Sequence, residues 1–476
     1  MQQLSIGEVY LLITSIALLY GLYCFFLPRW RARLSIWRLF YRVVMAVRRR
    51  PAKPVSRFRI AWMRIVGALC LAAGVTWTAQ LRPQIRLLRE PLYSPSEHRW
   101  QAEQGDGSPE ETDTLARLER VTRARLGPGR LMGLFIAVAD GDKTYTLGAG
   151  RKVLPETAPP DMDTEFEIGS ITKVFTCAAL ATLLEEGAVK LGDPVSGLLP
   201  SDWTVPALDG RTITLEDLAT QHSGLPRMPD EPPKGALTDA LLMNSLDDPY
   251  RNATVEYVRD YLGQLKLHRL PGDSYEYSNL GMGLLGYALA TKTGRPYAYM
   301  IKDRVCDPLG MGDTAVSLNG EQGTRLAQGY MDPIFLGSAC IALPMSRWTM
   351  REPYQGCGNL CSTPRDMLKF LRANMAAPAG PLGQALARVQ ESRRTTEIKG
   401  CTIGLAVHIL TVDGLEEPMY WHNGGTGGYH SFMGFTRKHR TGVIMLANGP
   451  LPEEIAREVL KALQEKRGAP DGKNSG

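Results

Sequence analysis

Apolar residues recur along this chain in three rhythms, and each predicts a different kind of element. Near the N-terminus two runs carry no charge at all, VYLLITSIALLYGLYCFFL at residues 9–27 and IVGALCLAAGVTWTAQL at residues 65–81. The first has nineteen residues, enough to cross the hydrocarbon core of a bilayer as a helix. The second is shorter, with Arg64 before it and Trp77 and Arg82 suited to the far interface. The pattern therefore predicts two transmembrane helices, at about 9–27 and 61–81. Together with the loop between them they form a membrane anchor over 1–81. Residues 82–111 are polar and rich in Gly, Pro and Ser, and read as a linker.

The second rhythm has a period of two. MGLFIAVAD and KTYTLGAG, joined by a DGD turn, read as a hairpin at 132–150. CTIGLAVHIL, EPMYWHN, YHSFMGFTRK and TGVIMLAN read as four more strands between 401 and 448. The third rhythm, every three or four positions, predicts helices at about 112–126 and from Ser170 to a stop at Gly187. TLEDLAT, VEYVRDYLGQL, LGMGLLGYALATKTG and TPRDMLKFLRANM add four more, and a last helix runs over 452–466. Strands at both ends with helices between them predict one α/β (α+β) domain over 112–466. Its antiparallel sheet draws on both ends of the chain and carries an inserted helical region. The tail, 467–476, reads as disordered.

Charge changes the picture in one place. Eleven Arg or Lys and no acid lie between Leu27 and Ile60, whereas the whole chain has a formal net charge of only +6. A basic stretch flanked by apolar runs reads as a cytoplasmic loop and not as a nucleic-acid site. That orientation sets everything after residue 81 outside the cytoplasm. Residues 35–47 suit either the inner-leaflet surface or a plain cytoplasmic linker. Of the eight cysteines, Cys24 and Cys70 fall in the apolar runs, and the rest show no metal-binding spacing. Outside the cytoplasm a disulfide becomes feasible, with a pairing that spacing does not reveal.

Three short motifs carry the chemistry. Ser170 and Lys173 lie three apart at the start of a helix and share a face, so the amine can reach the hydroxyl. A serine hydroxyl needs such activation to become a nucleophile. Burial and neighbouring positive charge suit a lysine to the task by keeping it neutral. At a helix start the Ser170 N–H is also free to support an oxyanion. Tyr277-Ser278-Asn279 sits at the mouth of another helix. There a tyrosine can pass protons, and an asparagine can accept from Lys173 and donate to a substrate carbonyl. The glycines of His422-Asn423-Gly424-Gly425-Thr426-Gly427-Gly428 allow close approach of backbone to substrate, with the Gly425 N–H as a second oxyanion donor. Taken singly, each motif has a structural reading: an N-cap serine with a solvated lysine, a packing tyrosine with a capping asparagine, and a hairpin turn with a surface histidine.

Together and in this order, SITK, YSN and HNGG resemble the three motifs of the serine beta-lactamase and penicillin-binding-protein superfamily. The resemblance is to its class C beta-lactamase-like branch, which includes D-alanyl-D-alanine carboxypeptidases, D-aminopeptidases and esterases. It runs over about 130–465 and extends to LGDPVSGLLP, ITLEDLATQHSGLP, DPLGMGDT and GCGNLCSTPRDMLKFL. The resemblance implies a beta-lactamase/transpeptidase-like fold without metal or cofactor. Ser170 would be the nucleophile, with Lys173 and Tyr277 moving the proton. Asn279 would contact the substrate amide, His422 would open the third motif, and Gly424 and Gly425 would lie beside the oxyanion hole. The chain departs from the antibiotic-hydrolysing enzymes at one position: they carry Lys-Thr-Gly as third motif, and here a histidine replaces the permanent cation. That departure weakens the expectation of a beta-lactamase.

The expectation is a membrane-anchored serine hydrolase acting on an amide or peptide bond of a D-amino-acid or cell-wall-type peptide. Ester hydrolysis, beta-lactam hydrolysis and a non-catalytic penicillin-binding sensor are the alternatives. Its location would be a bacterial inner membrane, with the catalytic domain periplasmic or extracellular. Its partners would be a small-molecule or peptide substrate and membrane lipid.

Overall fold

Residues 133–140 bury nearly every side chain, yet their alternation is intact because the two faces of the strand enter different cores. Leu134, Ile136 and Val138 point one way, and Phe135, Ala137 and Ala139 the other. The structure is a computed structural model. It describes residues 99–468 apart from 127–131, 231–247, 332–333 and 337–338, together with a strand at Arg86–Leu88. The chain divides into two units, Met1–Gln84 and Ile85–Gly476, and everything described lies in the second.

Nine strands form the main sheet. They are β1 (Gln101–Glu103), β2 (Gly133–Asp140), β3 (Lys143–Gly150), β4 (Arg394–Thr395), β5 (Cys401–Ile403), β6 (His408–Leu410), β7 (Met419–Gly425), β8 (His430–Thr436) and β9 (Thr441–Ala447). Their order is β4-β5-β6-β7-β8-β9-β2-β3-β1, antiparallel throughout. The C-terminal strand β9 pairs with the N-terminal β2, with Ile444 opposite Ala137. Both ends of the chain thus build one sheet, as the pattern predicted.

Helices α1 (Pro109–Arg125) and α7 (Glu454–Gly468) cover one face. Leu118, Ile455, Val459 and Leu460 pack there against Val443, Met445 and Phe432. The other face carries the inserted region: α2 (Thr172–Glu185), α3 (Val255–Gln264), α4 (Asn279–Thr293), α5 (Pro364–Ala376) and α6 (Pro381–Val389). Residues Thr172 to Leu183 of α2 are all buried, which explains a helix that is apolar on every side.

The expectation of membrane-crossing helices is corrected. No helix among the described residues is long and apolar enough to cross a membrane, and the segments 9–27 and 61–81 lie outside the described residues. The apolar helices α2 and α4 have 14 and 15 residues. At 1.5 Å per residue they reach only ~21–23 Å, short of the ~30 Å hydrocarbon core, and they are spent on the protein interior. The membrane anchor, the lipid partner, the inner-membrane location and the periplasmic or extracellular placement therefore play no part in the functional reading.

Two local differences have simple causes. Residues 82–111, read as a linker, contribute strands. Arg86–Leu88 pairs with residues 340–342, and β1 pairs with β3 at the sheet edge. Trp100 ties that edge down by donating from Nε1 to Thr122 Oγ1 at 3.1 Å. CTIGLAVHIL, read as one strand, breaks into β5 and β6, because the Gly404 and Leu405 N–H groups turn aside to Val407 O and Val389 O. The cysteines Cys177, Cys306, Cys357, Cys361 and Cys401 are buried free thiols.

Glu165, just before the candidate nucleophile, is fully buried, and among the described residues neither of its carboxylate oxygens has a hydrogen-bond partner. Arg325 Nη2 stands 4.0 Å from Glu165 Oε1. Burial, reinforced by the charges of Asp313 and Asp366, pushes its carboxyl up to about 8. The native state therefore holds a proton that the unfolded chain has released, so stability is lost as pH rises from ~4.5 to ~8. Chemical denaturation at pH 5 and pH 8 should show this loss, on the order of a few kcal/mol. Glu165→Gln, which fixes the neutral form, should reduce it. Glu167, raised to about 7 by burial, keeps part of the slope. An unchanged difference between the two pH values in Glu165→Gln would contradict this assignment.

Candidate active site

The candidate nucleophile stands on a turn that the sheet constrains from below. Ser170 is the middle residue of a 3-10 turn, Gly169–Ile171, that runs directly into α2. Gly169 has φ +49, and a Cβ built there would stand 2.7 Å from Gly425 N on β7. Gly424 meets the turn in the same way, since its Cβ would lie 2.1 Å from Ile168 O. Only glycines let β7 and the turn pass this closely. Ser431 on β8 completes the clamp, its Oγ donating to Ile168 O at 2.7 Å. Gly425, by contrast, is exposed, and the nearest atom to a Cβ there is 3.7 Å away. The turn that carries the half-buried Ser170 thus passes close to Gly425 at the end of β7.

Lys173 lies one turn on and has no solvent exposure. Its Nζ contacts Ser170 Oγ at 2.9 Å, Asn279 Oδ1 at 2.9 Å and the Cys357 carbonyl at 2.6 Å. As an ammonium it donates all three bonds. As a neutral amine it donates two, to Asn279 and Cys357, and turns its lone pair to the Ser170 O–H. Asn279 is fixed in orientation because its Nδ2 donates to Tyr250 Oη at 2.8 Å, which leaves Oδ1 for the lysine.

The centroid of the half-buried Tyr277 ring lies 4.8 Å from Lys173 Nζ. The loop that carries it is held from behind. Ser278 N donates to Gln221 Oε1 at 2.7 Å, and Ser278 Oγ donates to Pro226 O at 2.7 Å and caps α4 through Gly281 N. His422 sits on β7 with its ring centroid 6.4 Å from that of Tyr277. It is buried, not a surface histidine, and its Nδ1–H donates to Asn423 O. Burial, then the neighbouring His408 and Lys173, hold its imidazole well below the usual histidine range, so it is uncharged at neutral pH. His408, 5.5 Å away and pushed down to about 4 by burial, is uncharged as well.

The Beta-lactamase family matches residues 118–466. The chain belongs to the beta-lactamase family. It is 28% identical over 332 residues to the D-alanyl-D-alanine-carboxypeptidase/endopeptidase AmpH of Escherichia coli, an alignment covering 67% of this chain and 80% of that protein. The beta-lactamase/D-alanine carboxypeptidase of Yersinia pestis superposes with a TM-score of 0.61 at 22% identity, over 75% of this chain and 99% of the other. A class C beta-lactamase from Rhodobacter sphaeroides superposes with a TM-score of 0.58 at 24% identity, over 75% of this chain and 100% of the other. These structural likenesses show the shared fold. Family membership makes the chain a serine hydrolase of the beta-lactamase and carboxypeptidase type.

All seven candidate residues of this beta-lactamase-family chain gather around one corner of the sheet: Ser170, Lys173, Tyr277, Asn279, His422, Gly424 and Gly425. Their parts differ from a motif reading in one respect, since Gly424 is consumed by the approach of Ile168 and only Gly425 faces outward. Sequence reasoning missed Tyr250, Gln221, Arg227 and the Cys357 carbonyl. Gln221 and Arg227 adjoin or lie within a phrase already noted for its resemblance, ITLEDLATQHSGLP, but nothing in it marked them as supports of the tyrosine loop.

The two neighbouring glycines should respond differently to one added methyl group. Gly424→Ala forces β7 away from the nucleophile turn, and we expect a loss of ~2 kcal/mol or more in stability together with most of the turnover. Gly425→Ala should stay within ~1 kcal/mol of the wild type in urea denaturation. Equal stability of the two variants would refute the close-approach account.

Proposed function

We propose that the chain hydrolyses an amide or peptide bond of a small-molecule or peptide substrate through an acyl-enzyme at Ser170. The observation that carries this reading is the buried Lys173 amine, within hydrogen-bond distance of Ser170 Oγ and oriented by Asn279 and the Cys357 carbonyl. In the first step the Ser170 O–H gives its proton to Lys173, and Oγ attacks the carbonyl carbon. The negative charge that develops on the carbonyl oxygen is received by the N–H groups of Ser170 and Gly425. The C–N bond then breaks, its electron pair staying on the leaving nitrogen, which takes the proton through Tyr277. In the second step water, deprotonated by the same pair, attacks the ester carbonyl and releases the acid and Ser170. The family's serine-hydrolase chemistry and the carboxypeptidase/endopeptidase name of the Escherichia coli relative support the choice of an amide bond.

The neutral, buried His422 favours a second reading, hydrolysis of an uncharged carboxylic ester, because such a substrate requires no cation at the third motif. The full chain and Ser170→Ala are compared on an N-acyl-D-alanyl-D-alanine peptide and on a p-nitrophenyl ester. Intact mass is also recorded after exposure to penicillin. We expect peptide hydrolysis that falls at least ~10³-fold in Ser170→Ala, and a lasting Ser170-dependent penicillin adduct. Ester turnover without peptide turnover would establish the second reading. Rapid penicillin consumption without an adduct would make the chain a beta-lactamase, and undiminished turnover in Ser170→Ala would exclude the acyl-enzyme.

A further inference from the structure

The site holds a cation that none of the three motifs contains. Arg227 is exposed, and its guanidinium carbon lies 5.0 Å from the centroid of the Tyr277 ring. Its backbone is anchored to the second motif, because Arg227 O accepts from Asn279 N at 3.0 Å and from Leu280 N at 3.2 Å. Its Cα therefore keeps its place relative to Tyr277 and Asn279, while its side chain reaches solvent over the tyrosine. Among the described residues Arg227 forms no ion pair. The acid nearest in sequence to Tyr277, Glu276, is engaged by Arg269 at 3.2 Å.

The other positive groups of the site are committed or absent. Lys173 is fully buried, and its Nζ is taken up by Ser170, Asn279 and the Cys357 carbonyl. His422 and His408 are buried imidazoles. Among the described residues, the solvent-facing cation that a substrate carboxylate would meet on Tyr277 is this guanidinium. Its planar fork matches a carboxylate with two parallel N–H···O bonds, and stacking on an aromatic ring keeps the fork oriented.

We propose that Arg227 is a specificity-determining residue that receives the C-terminal carboxylate of the substrate's leaving group. The inference rests on the acyl-enzyme reading above. There the departing nitrogen takes its proton through Tyr277, so a cation over Tyr277 lies on the leaving-group side of the scissile bond. The reaction is then removal of a C-terminal residue. The Ser170 Oγ–C bond forms, the C–N bond breaks, and the released amino acid departs with its carboxylate on Arg227. The charge that the family's antibiotic-hydrolysing members carry on the third motif is supplied here from the segment around Arg227, before α3.

The test uses the full chain and two probes, an N-acyl-D-alanyl-D-alanine peptide with a free C-terminus and the same peptide as its C-terminal amide. We expect the wild type to favour the acid about ten- to a hundredfold in kcat/KM, chiefly through KM. Arg227→Gln should bring the ratio of acid to amide close to one, and Arg227→Lys should restore part of it. Arg227→Gln retaining the wild-type ratio, or a wild type that favours the amide, would overturn the proposal. A binding arm separates this outcome from failure of the acyl-enzyme reading. Ser170→Ala is titrated with both peptides, alone and combined with Arg227→Gln. Tighter binding of the acid that disappears in the double variant supports the role of Arg227 even where no peptide is turned over. Equal binding of acid and amide by Ser170→Ala, or no binding of either, overturns it.

Discussion

The site is organised by the need to satisfy one buried amine. Lys173 is withdrawn from water altogether, and an amine in that position costs several kcal/mol unless its hydrogen-bonding capacity is filled. Its three contacts come from three separate parts of the chain: the turn at Ser170, the first residue of α4 and the carbonyl of Cys357. None can shift far without leaving the amine unsatisfied. The constraint passes outward, because each acceptor is held in turn. Asn279 is fixed by Tyr250, and the segment after Cys357 is fixed by the pairing of Ile168 N with Leu360 O and of Leu360 N with Thr172 Oγ1. In the proposed mechanism, catalytic geometry and local stability are the same network of bonds.

The main sheet supplies the reference surface against which that network is set. β7 is paired with β8 along its whole length to Gly425, while β6 pairs only with Met419–Trp421, so its end stands against the candidate nucleophile turn with one flank held by the sheet. Contact is made backbone to backbone, through the absent side chains of Gly169 and Gly424, with Ser431 adding a hydrogen bond from the next strand. The sheet carries cores on both faces. That arrangement explains why α1 and α7, far from the chemistry in sequence, belong to the same folding unit as α2 and α4.

Much of this was legible in the sequence, for a physical reason. Ser170 and Lys173 are related by helical periodicity, Tyr277 and Asn279 open an apolar helix, and the glycines of the third motif end a strand. In each case residue type and local pattern agree. What could not be read were the contacts between distant segments, above all those made by backbone atoms. The Cys357 carbonyl that receives Lys173 is 184 residues away and would be the same carbonyl on any residue type. Tyr250 and Gln221 act through side chains, but their partners are fixed only once the inserted region has folded over α4. CTIGLAVHIL misled because its composition suits a strand throughout, while hydrogen bonds to Val389 and Ala219 bend its middle. The apolar runs at 9–27 and 61–81 lie outside the described residues, and the apolar helices that the structure does describe are buried in the protein.

The histidine at the head of the third motif follows from the same accounting of charge. The rings of His422 and Tyr277 are 6.4 Å apart, and Tyr277 in turn lies 4.8 Å from Lys173 Nζ. His422 is almost wholly buried. A permanent cation in its place would have to be desolvated and would oppose the charge that Lys173 gains on taking the Ser170 proton, in a medium of low dielectric constant. An imidazole held neutral by burial, with a second neutral imidazole beside it, removes both terms. It also removes the attraction such a cation would exert on an anionic substrate. Arg227 restores that attraction where it is least expensive, on the solvent side of Tyr277, because an exposed guanidinium keeps much of its hydration until a carboxylate replaces it. In the proposed reading the site separates two functions of positive charge: the buried amine serves proton transfer, and the exposed arginine serves recognition.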